Sequence, residues 1–192
     1  MRYTDSHKAS TRQRIVDGAA AALRARGPAG VAVADLMRQA GLTHGGFYAH
    51  FPSKDALVAE AVGSAAEQSV RNLRTVVKRA GGKSALKAIA DSYLSTAHRD
   101  QPERGCSLVA LGAELARDSP AARRALTGQI EKLLGVLAEY VPDRRGVTRR
   151  RQAMATLACL VGALTLSRIA DDPALSEEIL DAARRHLAEA AR

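Results

Sequence analysis

The segment from Ala34 to Lys54 constrains the fold of this chain more than any other. An amphipathic turn of helix, Ala34-Asp35-Leu36-Met37-Arg38-Gln39-Ala40, is broken at Gly41, and a second short helix starts behind Thr43. A short helix, a glycine stop, a hydroxyl cap and another short helix make a helix-turn-helix. Phe47 and Phe51, one helical turn apart, form the inward side of the second helix. His44, Gly45, Tyr48 and Ala49 are left pointing outward. The first turn of such a helix presents backbone N–H groups and a positive dipole, which favour phosphate. The spacing therefore predicts a helix that reads DNA.

Charge agrees with that expectation. The net charge is +9 and the isoelectric point about 10.1. Residues 1–54 hold eight Lys and Arg against three Asp, so more than half of the excess lies in little more than a quarter of the chain. Clustering, more than net charge, marks a nucleic-acid footprint, although an Arg- and Ala-rich composition alone also makes proteins basic.

A chain of 192 residues, 46% hydrophobic but 3% aromatic and without Trp, has to build its core from aliphatic helix packing. Helical patterns are predicted over about 10–26, 33–40, 44–50, 53–79, 84–98, 105–116, 119–140, 148–170 and 172–190. The first opens on the capping box Ser10-x-x-Gln13 and stops at Gly27-Pro28. Residues 1–9 read as a mobile basic arm, and Ser119-Pro120 and Asp172-Pro173 read as helix starts. The fold class is all-α with about nine helices. Residues 1–53 are expected to form a DNA-binding domain, and residues 54–192 a C-terminal domain joined to it by the long helix.

Two cysteines, Cys106 and Cys159, cannot form a disulfide framework in a chain this long. The N-terminus carries no apolar signal region, and no uninterrupted apolar run of about 18 residues suggests a membrane span. A soluble, cytoplasmic protein is expected. There is no metal-ligand spacing and no phosphate-cradling loop. A Cys–His hydrolase built on Cys106 and His98 would need an oriented base and an oxyanion site. The sequence offers neither pattern, so no enzyme, cofactor or metal is expected.

Residues 11–57 resemble the DNA-binding domain of TetR-family bacterial regulators. Arg14-Ile15, Ala19, Gly27, Asp35-Leu36, Ala40-Gly41, Gly45, Tyr48, Phe51 and Lys54-Asp55-Leu57 fall in register. The rest of the chain resembles the family in helix count and order, with Cys106 in Arg104-Gly105-Cys106-Ser107-Leu108 similar to one branch. The resemblance implies a homodimer, paired recognition helices, and a C-terminal cavity whose small-molecule effector releases DNA. Two departures from the pattern are Ala32, where Thr or Ser would cap the second helix, and Gly46, where Thr often stands. Each is expected to cost about 1 kcal/mol of local helix stability.

On this reading the DNA-binding residues are Thr43, His44, Gly45, Tyr48, His50, Lys54 and Arg12. Thr43 can cap its helix or bond phosphate, His44 can donate or accept in the major groove, and Gly45 permits close backbone approach. Tyr48 and Lys54 are candidate phosphate ligands. His50 reads equally as a phosphate contact or as a partly buried structural residue. Arg2, Lys8 and Arg12 can track the backbone, or, for the first two, lie in a solvated tail. Effector-binding candidates are Tyr93, His98, Cys106, Leu111, Leu134, Leu137 and Met154, and the scarcity of aromatics favours an aliphatic or lipid-like molecule. The dimerisation candidates are Leu157, Leu160, Leu164, Ile179, Ala183 and Leu187, whose periodicity would equally suit a monomer core. Cys159, amid Leu157, Leu160 and Val161, reads as packing. Cys106, at a helix start behind a glycine, reads either as a packed apolar residue or as a redox- or electrophile-sensing thiol. The arginines at 144–151 read as a solvated loop and helix start.

Overall fold

A computed structural model describes residues 5–81, 85–142 and 145–190. Among them the chain forms nine α-helices and no strand: α1 Asp5–Arg26, α2 Val33–Gln39, α3 Lys54–Ala80, α4 Ala85–Tyr93, α5 Thr96–Asp100, α6 Ser107–Asp118, α7 Pro120–Ala138, α8 Arg149–Ile169 and α9 Pro173–Ala190. Two 3-10 helices, His44–Ala49 and Pro102–Arg104, complete the order.

The chain divides into two compact units. The first comprises the chain up to Ala66 together with Cys106–Gln129, and the second Glu67–Gly105 together with Ile130 onward. This grouping by packing is distinct from the division into 1–53 and 54–192 expected from the sequence. Ile15, Val16, Ala19, Ala20 and Leu23 of α1 need more cover than the helix-turn-helix provides. Leu36, Met37, Phe47, Phe51, Leu57 and Ala61 supply part of it, and Leu111, Leu115, Ala122 and Leu126 of α6 and α7 join the same core. Burial of this kind is the main favourable term holding such a unit together.

Local signals account for the breaks. Gly27, at φ +71°, ends α1 by donating its N–H to the Leu23 carbonyl at 2.8 Å. Gly41, at φ +74°, ends α2 in a Schellman motif: Gly41 N–H donates to the Arg38 carbonyl and Leu42 N–H to the Met37 carbonyl. Both positions need a left-handed backbone, which glycine adopts without steric cost.

Three expectations about elements change. Helix α1 begins at Asp5, so Ser10 lies inside it and residues 5–9 are helical; no helix breaker stands between them and Ser10. Arg2 lies outside the described residues, as do Gly82, Ser84 and Arg144. The helix expected over 84–98 is interrupted at Ser95, whose hydroxyl accepts from His98 N–H at 3.2 Å and starts α5 afresh. The reading helix is 3-10 rather than α.

In the second unit α8 packs against α9 and α4. Ala153, Thr156, Leu157, Leu160, Ala163, Leu164 and Ser167 form its buried face. By length and composition alone α8 is long and apolar enough to cross a membrane, although it holds no uninterrupted apolar run of about 18 residues. Arg168 pins α8 to the end of α5: Nε donates to the Arg99 carbonyl at 3.0 Å and Nη2 to the His98 carbonyl at 2.7 Å. These bonds occupy carbonyls that the last turn of a helix leaves open.

Candidate nucleic-acid interface

The exposed rim of the first unit is the turn between α2 and α3. Thr43 takes an extended backbone (φ −81°, ψ 153°) at the N-cap, but its side chain bonds no backbone N–H of the helix that follows. The hydroxyl is therefore not committed to capping. Gly46 N–H donates to the Thr43 carbonyl at 3.0 Å and His50 N–H to the Phe47 carbonyl at 2.9 Å, both i→i+3 bonds. The tighter winding follows from Gly45-Gly46, since two adjacent glycines weaken an α-helix and short 3-10 turns need fewer committed residues.

Thr43, His44, Gly45, Tyr48 and Ala49 are exposed, Phe47 is buried, and Phe51 stacks on Phe47 at 5.6 Å. Tyr48 is 69% exposed and meets the edge of Phe47 at 5.3 Å. A large aromatic carrying a hydroxyl is thus presented to solvent beside a rigid aromatic base. A Cβ added at Gly45 would meet nothing within 4 Å, so this glycine is not demanded by packing inside the protein.

Lys54 and Arg12 have other occupations. The Lys54 ammonium donates to the carbonyls of Pro28 at 2.8 Å and Val31 at 2.7 Å. It fastens the α1–α2 connection to the start of α3. Arg12 pairs with Glu60, donates from Nε to the His50 carbonyl at 3.4 Å, and places its guanidinium 4.5 Å from the centre of the Phe51 ring. It ties α1, the end of the reading helix and α3 together. His50 is half-buried, with Nδ1 enclosed and lacking a hydrogen-bond partner among the described residues. Burial, then the neighbouring charges of Lys8 and Arg12, hold its pKa below the ordinary histidine value. Lys8, read as part of a tail, therefore belongs to the helical surface near the end of the reading helix.

The remaining candidates scatter. Tyr93, Leu134 and Leu137 are buried in the second unit, whereas Cys106 and Leu111 are buried in the first. Met154 is 45% exposed. Tyr93 and His98 meet edge to face at 4.7 Å, and His98 Nδ1–H donates to the Tyr93 carbonyl at 2.7 Å. Burial foremost, and Arg168 in addition, lower the His98 pKa, while the bond to the Tyr93 carbonyl opposes them. Cys106 is 2% exposed; Gln129 Nε2 lies 3.5 Å from its sulfur and Gln129 Oε1 accepts from Ser107.

On the α8–α9 surface, Leu157, Leu160, Leu164 and Leu187 are buried within the protomer, and Ile179 and Ala183 are half-buried. A helix apolar on every side, as α8 is, does not disclose which face turns inward; Leu157, Leu160 and Leu164 took the inward one, and Leu187 is buried on α9. The exposed face carries Met154, Ala155, Ala158, Leu166 and Ile169 instead.

Comparison with known proteins agrees with this architecture. The profile of bacterial regulatory proteins of the tetR family matches residues 15–61, and that of the tetracyclin repressor-like C-terminal domain matches residues 82–186, more than half of the chain. The chain belongs to the TetR family. An uncharacterised HTH-type transcriptional regulator of Mycobacterium tuberculosis is 28% identical over 178 residues, covering 84% of this chain and 86% of the relative. Among solved structures, a TetR transcriptional regulator from Chloroflexus aurantiacus is 27% identical with a TM-score of 0.77, covering 96% of this chain and 95% of that one. The reduced form of NemR from E. coli has a TM-score of 0.78 at 22% identity, covering 93% and 95%. A TetR-family regulator from Cytophaga hutchinsonii has a TM-score of 0.79 at 22% identity, covering 98% of each chain. These last two show the shared all-α fold. This TetR-family chain is a DNA-binding transcriptional regulator with a helix-turn-helix over the Val33–Ala49 region.

Proposed function

We propose that this regulator is a repressor that binds a palindromic operator as a homodimer and is released by a small-molecule effector. The exposed, uncommitted face of Thr43, His44, Gly45 and Tyr48 carries the DNA-reading part of this proposal. Thr43 and Tyr48 hydroxyls fit phosphate, and His44 fits a base edge. His50 flanks them with its second ring nitrogen. Arg12 and Lys54 contribute by holding the reading helix in place. Paired recognition helices would sit about 34–36 Å apart, one turn of B-DNA.

The dimer reading rests on α8. Met154, Ala158, Leu166 and Ile169 recur at helical spacing on its open face, and Ile169 is 72% exposed. Ile179 and Ala183 on α9 are half-buried and continue as candidates. An apolar face of this kind on a helix that already buries its other side suits a second copy in a four-helix arrangement. Tyr93, His98, Leu134 and Leu137 remain the effector candidates of the second unit. The packed, hydrogen-bonded environment of Cys106 favours a structural thiol over a sensor.

The test is a reporter gene placed behind the DNA upstream of this regulator's own gene. Repression that disappears on deletion of the regulator, with two protomers on each bound site by sedimentation, is expected. A reporter that falls silent on deletion would make the protein an activator, and one protomer per site would overturn the dimer reading.

A further inference from the structure

A cleft of about 190 Å³ opens between α4, the segment that follows α7, the first half of α8 and the end of α9, wholly inside the second unit. It shares none of the effector candidates named above. Leu86, Val141 and Leu187 form an apolar wall. Gln152, Thr156 and Cys159 face the same space from α8, with His186 from α9.

Thr156 is the informative member. It is 7% exposed, and its hydroxyl has no hydrogen bond to any described residue. Three other helical threonines return their hydroxyls to the preceding turn: Thr75 to Arg71 at 2.8 Å, Thr127 to Arg123 at 3.0 Å and Thr165 to Val161 at 2.8 Å. That local bond is the usual way a helical threonine satisfies itself. Thr156 forgoes it while lining a cleft, so its hydroxyl is left available to whatever occupies that space. Gln152 adds a second group: its Nε2 makes one long bond of 3.4 Å to the Val147 carbonyl, and its Oε1 has no partner among the described residues.

We propose that this cleft binds a small uncharged molecule with a ring-sized apolar body and one hydroxyl- or carbonyl-type head, the head meeting Thr156 and Gln152. The size follows from the volume, since a cavity of about 150 Å³ accommodates benzene. The lack of charge follows from the lining, which among the described residues has no Asp, Glu, Lys or Arg to pair with a buried ion. Cys159 is half-buried, and burial raises its pKa, so the thiol serves as wall rather than as nucleophile. Binding is reversible.

The site is tested on the full-length protein without DNA, so its failure and failure of the repressor reading are separate results. The probe is p-cresol, with toluene as the partner lacking the hydroxyl, each titrated by calorimetry. Saturable p-cresol binding with a dissociation constant on the order of 0.1–1 mM is expected. Thr156→Val, which keeps shape and removes the hydroxyl, weakens p-cresol roughly fivefold to tenfold and leaves toluene unchanged. Cys159→Leu, which fills the cleft from a half-buried wall, abolishes binding of both. No saturable binding up to about 10 mM, or equal effects of Thr156→Val on the two probes, overturns the proposal.

Discussion

Lysine 54 separates two roles that sequence patterns cannot tell apart. In sequence it stands at the first turn after the reading helix, where a cation suits a phosphate. In the structure its ammonium is bound by two backbone carbonyls, at 2.8 and 2.7 Å, from the α1–α2 connection. Replacement by Met keeps most of the aliphatic stem and removes both bonds. A hydrogen bond to a charged group contributes about 1.5–3 kcal/mol. Lys54 is half-buried, so water replaces part of the loss, and the lower half of that range applies to each bond. The expected cost is about 3–4.5 kcal/mol, or roughly 6–18 °C in melting temperature for a chain of this size. Thermal and urea unfolding of Lys54→Met measure it directly. DNA binding, assayed well below the melting point over a salt series, is expected to keep its slope of log affinity against log salt. A phosphate anchor gives the opposite pattern: unfolding unchanged within about 0.5 kcal/mol, and a slope reduced by about 0.9 for the lost contact. That result would refute the assignment of Lys54 as an internal clip.

Thr43→Ala is expected to change stability by less than about 0.5 kcal/mol, because no cap bond is lost, while weakening operator binding roughly fivefold to thirtyfold; parallel melting and gel-shift measurements check both. Gly45→Ala should stabilise the protein by about 0.5–1 kcal/mol, there being open space for the methyl, and reduce operator affinity where the backbone nears the duplex. Gly105→Ala should do the reverse, since its Cβ would lie 2.8 Å from His98 Nε2, and a lowered melting temperature with disrupted Tyr93–His98 packing reports it. His98 and His50 bind a proton less readily folded than unfolded, so stability is fully present above the unfolded pKa near 6.5 and falls as pH drops through it; His98→Gln should flatten that fall in a series of melts between pH 7.5 and 5. Leu166→Glu, on the open face of α8, should convert the proposed dimer to monomers in sedimentation without lowering the melting temperature of the protomer.

The reading head was legible because its signals are local. Gly27, Gly41 and the Phe47/Phe51 pair each act through their own neighbours, so spacing alone placed them. The 3-10 winding was less so: Gly45-Gly46 warned of a weak helix without saying how it would tighten. Long-range partners were hidden. Nothing in the local pattern said that Lys54 would meet Pro28 and Val31, that Leu111 and Leu115 would complete the core beneath α1, or that Arg168 would cap α5. On α8 the difficulty was an excess of signal, since apolar residues on all sides leave the inward face undetermined. Only packing against α4 and α9 fixed Leu157, Leu160 and Leu164 inside and Met154, Leu166 and Ile169 outside. The cleft beside Thr156 was hidden as well, because only the structure shows that this threonine's hydroxyl does not return to the preceding helical turn.

The most direct measurement is binding of the purified protein to DNA upstream of its own gene, against random duplex of the same length, over a salt series. A regulator that reads DNA through Thr43, His44, Gly45 and Tyr48 is expected to prefer one site by roughly a thousandfold or more, and to lose most of that preference in a Thr43→Ala, Tyr48→Phe double variant. Equal affinity for both DNAs, disappearing together as salt rises, would leave only a basic surface and contradict the account.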